Sequence, residues 1–163
     1  MAKFIVDFTH DDIQRAAEFA KKHHKDQMYG DRPYHYHLVM VDIKVQELFG
    51  QTFRNSGELY FLRVCAFLHD VIEDTDADFN EIENEFGLAV ADTVALLTRF
   101  DGETKEHYLD ELVLDPFAVM VKIADTLSNL EHSIMAGNTR RINKYRKQLS
   151  FLLKHHNRHL GAV

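Results

Sequence analysis

His69 and Asp70 stand together inside YFLRVCAFLHDVIED, a run that is otherwise apolar for most of its length. Glu73 and Asp74 follow one helical turn later, so a helix through this run carries a histidine and three carboxylates on one face. Carboxylates held this close repel and raise one another's pKa values, and a divalent cation relieves that repulsion. A plainer reading is that the helix leaves the core at Asp70, where acids are ordinary; taken alone, the two readings weigh the same. Two further features favour the cation. Asp125 lies inside the apolar run VMVKIADTLSNL, where an unpaired charge is costly, and Asn129 follows one turn later on the same face. His37 opens a helix directly after the Pro33-Tyr34 loop. His37, His69, Asp70 and Asp125 therefore make a candidate ligand set of two imidazoles and two carboxylates. Mixed nitrogen and oxygen donors with open positions suit Mn²⁺, Fe²⁺ or a similar ion better than a closed structural zinc site.

The elements that must carry these residues are helices. Thr9 with Asp12 marks a helix start, and Ile13, Ala16, Ala17 and Ala20 follow at helical spacing. Tyr29-Gly30-Asp31-Arg32-Pro33 reads as a loop, after which a second helix starts near His37 with Leu38, Val41, Val45 and Leu48 on one face. Ser56 caps a third helix through the His-Asp run, central and buried because it is apolar nearly all round. Asp76 or Asp78 caps a short helix that Gly87 interrupts; further helices are expected over about 88–98 and 103–113. Pro116 suits the first turn of a helix through Asn129. Thr139 caps the last helix, which Gly161 follows. No segment shows convincing strand alternation, and the predicted fold is all-α.

The 163 residues suggest one domain over the whole length, and 45% of them are hydrophobic. Cys65 is the only cysteine, so no internal disulfide forms, which fits a reducing compartment. The N-terminal stretch turns acidic at once and reads as neither signal peptide nor membrane span, so a cytoplasmic protein is expected, with no membrane or nucleic-acid partner. Homo-oligomerisation is left open. The net charge of −7 conceals a split: residues 70–115 hold fifteen acids against Arg99 and Lys105 alone, whereas residues 140–163 hold seven Lys and Arg and no acid. An acidic middle suits an anionic substrate only with a cation present. The basic tail reads first as the solvated face of an amphipathic helix. Lys122 and Lys105 have the chemistry to touch phosphate, but they read first as solvated surface residues.

A histidine, an adjacent His-Asp pair and a distant aspartate, in that order, resemble the signature of the HD superfamily of metal phosphohydrolases. Within it, AAEFAKKHHKDQ, PYHYHL, AFLHDVIEDTDADFNEIENEFG and VKIADTLSNL resemble the Rel/Spo hydrolase domain and the small alarmone hydrolases, over about residues 16–130. The resemblance implies an HD-domain helical bundle around one Mn²⁺. It implies hydrolysis of the 3′-diphosphate of guanosine tetra- or pentaphosphate with release of pyrophosphate. By the same resemblance Glu73 and Asp74 position or deprotonate the attacking water, His37 rather than His35 is the ligand, Asn129 lies near the sugar and Tyr145 beside the nucleoside. Arg141 or Lys144, on the same helix, is placed to face the distal phosphates. The chain departs from the family after Gln27, where Met28 and Tyr29 replace the usual Arg and Lys that pack on the base and the loop is shorter. Soft and flat apolar contacts discriminate bases weakly, so a weaker preference for guanine over adenine is expected. The alternatives are an HD-type 5′-nucleotidase acting on nucleoside monophosphates, and a non-catalytic nucleotide sensor or partner-neutralising protein.

Overall fold

The capping residues set most of the helix boundaries. The computed structural model describes residues 4–54 and 56–160. A 3-10 turn at Ile5–Asp7 leads to α1 (His10–His24), which Thr9 precedes, with its N–H and hydroxyl both donating to the Asp12 carboxylate at 2.8 and 2.9 Å. A minimal antiparallel hairpin, β1 (Met28–Tyr29) with β2 (Arg32–Pro33), leads into α2 (Tyr34–Phe53). There follow α3 (Gly57–Leu68), α4 (Val71–Asp74), α5 (Phe79–Phe86), α6 (Leu88–Leu97), α7 (Lys105–Leu112), α8 (Pro116–Met135) and α9 (Thr139–Leu160). Asp78, not Asp76, caps α5 by accepting the Glu81 N–H at 2.9 Å, and Asp115 caps α8 by accepting the Ala118 N–H at 2.8 Å. At α9 the side chain that accepts a first-turn N–H, from Arg141, is Asn138 rather than Thr139. Gly161 lies outside the described residues. No helix among them is long and apolar enough to cross a membrane.

The centre of the fold is α3. Phe61, Leu62, Val64, Cys65, Ala66 and Leu68 have no exposed surface, because α1 and α2 pack along this helix and α6 and α8 close around it. At its start, a Cβ on Gly57 would run into the backbone of Val6, so only glycine lets the 3-10 turn lie this close. On the far side α8 packs against both α2 and α9.

Two boundaries differ from those the sequence suggests, and both shape the site. Helix α2 begins at Tyr34, three residues before His37, because Pro33 already holds the backbone angle a helix entry needs. Tyr34 thereby lies one turn ahead of His37 on the same face. The run through the His-Asp pair is not one helix. It stops at Leu68 and resumes at Val71, with Asp70 at φ −105° and ψ 0°. The His69 Nδ1–H donates to the Ala66 carbonyl at 2.7 Å, a side-chain competitor for an acceptor of the helix ladder. The expected shared face of positions 69, 70, 73 and 74 is therefore broken, and Glu73 and Asp74 take up different partners.

Candidate active site

Two helices, α2 and α8, and the break after α3 converge on four atoms. His37 Nε2 comes from α2, His69 Nε2 and Asp70 Oδ2 from the break, and Asp125 Oδ1 from the middle of α8. Around the ring the separations are 3.2 Å from His37 to Asp125, 3.7 Å from Asp125 to His69, 2.9 Å from His69 to Asp70 and 3.8 Å from Asp70 to His37. Donors about 2.1 Å from a shared ion stand about 3.0–3.4 Å apart in right-angled or tetrahedral arrangements; the four separations scatter around that range, and His37, His69 and Asp70 form a group whose ligand atoms all lie within 4.8 Å of one another. His37, His69 and Asp125 are buried.

The donor chemistry fits a cation. With its Nδ1–H committed to Ala66, neutral His69 directs a lone pair from Nε2 at a carboxylate oxygen, and this buried nitrogen has no hydrogen-bond partner. Two acceptors 2.9 Å apart require a positive charge between them, either a proton or a metal ion. Burial disfavours the imidazolium, but the Asp70 and Asp125 charges overcome it and raise the His69 pKa to about 10. Burial likewise opposes ionisation of Asp70, and His69 outweighs it and holds the carboxyl well below the usual range. Asp125 behaves the same way, with Lys122 as its main counter-charge.

Around the ring each acid has its own restraint. Asp125 Oδ2 lies 3.0 Å from Lys122 Nζ, and Asn129 spends its amide group on Asp125, donating to Oδ1 at 2.6 Å and to the backbone carbonyl at 3.1 Å. Asp70 Oδ2 accepts a 2.6 Å bond from the Tyr34 hydroxyl, which also donates to Asp74 Oδ2 at 3.1 Å. Burial and the Asp70 charge push the Tyr34 pKa up, so it stays a donor. Glu73 lies on the opposite side, where its Oε2 accepts the Arg99 backbone N–H at 2.9 Å. Burial raises the pKa values of both Glu73 and Asp74. The second catalytic candidate is also tied from α1: His24 stacks on Tyr34 with ring centres 4.4 Å apart, its Nδ1 lies 2.9 Å from Gln27 Oε1, and the Gln27 amide donates to the Asp74 carbonyl at 2.6 Å.

The nucleoside-side candidates form a chain leading to Asp125. The Tyr29 hydroxyl donates to Asn129 Oδ1 at 2.9 Å, and its ring stacks on His37 with centres 4.5 Å apart. Arg141 reaches Asn129 Oδ1 at 3.5 Å and the Tyr145 hydroxyl at 3.4 Å. Lys144 is exposed, its ammonium 4.9 Å above the Tyr145 ring. Met28 is largely exposed, and His35 turns away from the ring of donors to stack on Phe67. Sequence reasoning missed Tyr34, His24 and Gln27, and it favoured a solvated surface position for Lys122 over phosphate contact. Lys122 is instead drawn inward by Asp125 three residues later, a spacing that was visible.

Two histidines and two aspartates gathered at the heart of a helical bundle, with carboxylates on either side, match the arrangement that the sequence resemblance to the HD superfamily leads one to expect. No family model matches the chain. It is 34% identical over 131 residues to the guanosine-3′,5′-bis(diphosphate) 3′-pyrophosphohydrolase of Aquifex aeolicus, covering 74% of this chain and 18% of that protein. It is 33% identical over 128 residues to the guanosine-3′,5′-bis(diphosphate) 3′-pyrophosphohydrolase MESH1 of Danio rerio, covering 72% of this chain and 67% of that one. The chain belongs to this family of Rel/Spo-like HD hydrolases. In fold it matches a solved metazoan ortholog of SpoT with a TM-score of 0.64 at 24% identity, over 91% of this chain and 85% of the other. The chain spans under a fifth of the length of the first relatives it matches.

Proposed function

We propose that the protein is a divalent-metal-dependent phosphohydrolase that removes pyrophosphate from the 3′ position of a guanosine tetra- or pentaphosphate-like nucleotide. The observation that carries this reading is the ring of His37, His69, Asp70 and Asp125 flanked by Glu73 and Asp74. These four residues would hold one ion, Mn²⁺ by the donor set, which when bound polarises phosphoryl oxygens and acidifies water. In the hydrolysis a water oxygen adds to the phosphorus next to the ribose, the bond to the 3′-oxygen breaks, and that oxygen leaves with a proton. Glu73, fixed by the Arg99 amide through one oxygen, keeps the other for taking the water's proton. Asp74, held by Tyr34 and Gln27, orients the water from the other side. A pKa raised by burial makes each carboxylate a better base than an exposed one.

Asn129 serves here chiefly to hold Asp125, and Tyr29, Arg141 and Tyr145 form the wall on the nucleoside side, with Lys144 outside it toward the distal phosphates. Beyond Tyr29 lies a cavity of ≈430 Å³ lined by Tyr36, Met40, His132 and Met135 among others. Its aromatic and thioether walls hold a base by stacking, while Asp31, Arg32 and Glu131 add charged groups to the lining, so the weak separation of guanine from adenine rests on Tyr29 in place of the usual basic side chain. A cytoplasmic setting fits the lone buried Cys65.

The test is a panel of guanosine and adenosine tetraphosphates, nucleoside monophosphates and deoxynucleoside triphosphates, each with Mn²⁺, scored for pyrophosphate and phosphate. Pyrophosphate from either tetraphosphate is the expected result, at similar rates for the two. Phosphate from monophosphates alone would establish the 5′-nucleotidase instead. Elemental analysis is expected to find one metal per chain, absent from Asp70→Ala and Asp125→Ala proteins; full occupancy in both would remove the ligand assignment.

A further inference from the structure

A histidine that binds a metal through one nitrogen ordinarily donates its other N–H to a carbonyl or carboxylate, which fixes the ring. His69 does so to Ala66, but the His37 Nδ1 is buried and, among the described residues, has no hydrogen-bond partner. What meets the His37 ring instead is Tyr29, from the hairpin. The two rings lie 17° from parallel with centres 4.5 Å apart, and Tyr34 stands across the same imidazole at 5.7 Å and 72°. Tyr29 also reaches a second ring residue. Its hydroxyl donates to Asn129 Oδ1 at 2.9 Å, and the Asn129 amide donates to Asp125 Oδ1 at 2.6 Å. Asp125 sets the direction of this chain: a carboxylate facing the amide takes its N–H, which leaves Asn129 Oδ1 as the acceptor for the phenol. Arg141 shares that acceptor only at 3.5 Å. His132, three residues beyond Asn129 on α8, packs against Tyr29 with ring centres 4.6 Å apart. His37 Nε2 and Asp125 Oδ1 face each other across 3.2 Å, so Tyr29 spans the side of the ring that these two share.

The geometry points to Tyr29 as a positioning residue for the metal: one side chain from the hairpin holds His37 by the face of its ring and Asp125 through Asn129. This inference rests on the metal-site reading above and gives position 29 a role besides bordering the nucleoside. The stack supplies to His37 the orientation that His69 obtains from a carbonyl. The hydroxyl fixes Asn129, whose amide in turn keeps Asp125 Oδ1 turned toward the ring. Partners of ligands that act in this way are worth about 10–100-fold in metal affinity.

The experiment measures Mn²⁺ binding to the full chain, with no substrate present, from the electron paramagnetic resonance signal of the free ion. Tyr29→Phe keeps the stack and deletes the hydroxyl. It is expected to bind Mn²⁺ about tenfold more weakly, the lower end of the range because Arg141 still reaches Asn129. Tyr29→Leu deletes the stack as well and is expected to lose about a hundredfold. In an Asn129→Ala background the further cost of Tyr29→Phe is expected to fall below about twofold, because the acceptor of the hydroxyl is gone. That non-additivity separates a hydrogen-bonded chain from a general loosening of the hairpin. Unchanged Mn²⁺ affinity in either single variant overturns the proposal, and a raised substrate KM alongside it would make Tyr29 a nucleoside contact alone. A full tenfold loss in the Asn129→Ala background overturns it too. A parent protein that takes up no Mn²⁺ removes the metal reading itself and the role of Tyr29 with it, whereas a parent that binds one ion beside unaffected variants removes the role of Tyr29 alone.

Discussion

Replacing Lys122 by Met removes a positive charge from the interior and keeps the length of the side chain. The Lys122 side chain is 14% exposed and that of Asp125 7%, and their charged atoms are 3.0 Å apart. Breaking a buried ion pair by deleting one partner costs about 3–5 kcal/mol, because the other charge is left uncompensated. Asp125 retains Asn129 and the two histidines, which places the loss at the lower end, about 3 kcal/mol. For a chain of this size each kcal/mol shifts the melting temperature by about 2–4 °C, so Lys122→Met is expected to melt about 6–12 °C below the parent in the presence of a chelator. The deficit should shrink when Mn²⁺ is added, since the ion supplies to Asp125 the positive charge the lysine no longer does. Calorimetry of both proteins with chelator and with Mn²⁺ reads this directly. A chelated variant melting within about 2 °C of the parent would refute the view of Lys122 as the principal counter-charge of Asp125.

Glu73→Gln is expected to retain its metal by elemental analysis and to lose about 10²–10⁴ in turnover, the usual worth of a positioned base; near-parental turnover in both Glu73→Gln and Asp74→Asn would move the chemistry elsewhere. In the metal-free protein the folded-state pKa of His69 lies above its ordinary value of 6.5, at about 10. The stability this contributes is complete below pH 6.5 and is lost as pH rises toward about 10. Metal binding needs the neutral imidazole and strengthens over the same range. The rise in melting temperature on adding Mn²⁺ should therefore grow with pH, and a shift that is flat across this window would count against a His69 proton holding the metal-free ring together. Gly57→Ala is expected to cost about 1–3 kcal/mol through overpacking against Val6, measurable by urea denaturation, with catalysis per folded molecule unchanged.

The helices were legible wherever a local signal fixes them. Thr9, Asp78 and Pro116 mark starts that depend on nearby side chains and backbone angles; Ser56 stands at the start of α3, but its hydroxyl makes no capping bond. Spacing gave most of the apolar face of α2, except that Phe49 is buried and the expected Leu48 is exposed. His69, Asp70 and Asp125 stood out as polar groups in or beside apolar runs that call for a partner, whereas His37 was preferred to His35 only by the family resemblance. The break after Leu68 was not legible, because it depends on His69 bonding back to the Ala66 carbonyl, an alternative that periodicity does not reveal. Tyr34 and Lys122 lay one turn from His37 and Asp125, within reach of a helical-wheel argument. They were passed over because a tyrosine beside a loop and a lysine beside apolar residues are ordinary on a surface. The ties from Arg99 to Glu73 and from Gln27 to Asp74 join residues 26 and 47 positions apart, and no local pattern encodes them.

Glu73 is gripped by a main-chain amide, so its restraint carries no signature in the side chain at position 99. Any residue there except proline can make the same bond, and an alanine scan would pass over the position without disturbing that hold. Homologues are free to vary the side chain while the grip persists, so this part of the machinery can be inherited without leaving a trace in residue identity. An amide-to-ester replacement at position 99, which removes the donor and leaves every side chain in place, is the perturbation that exposes it.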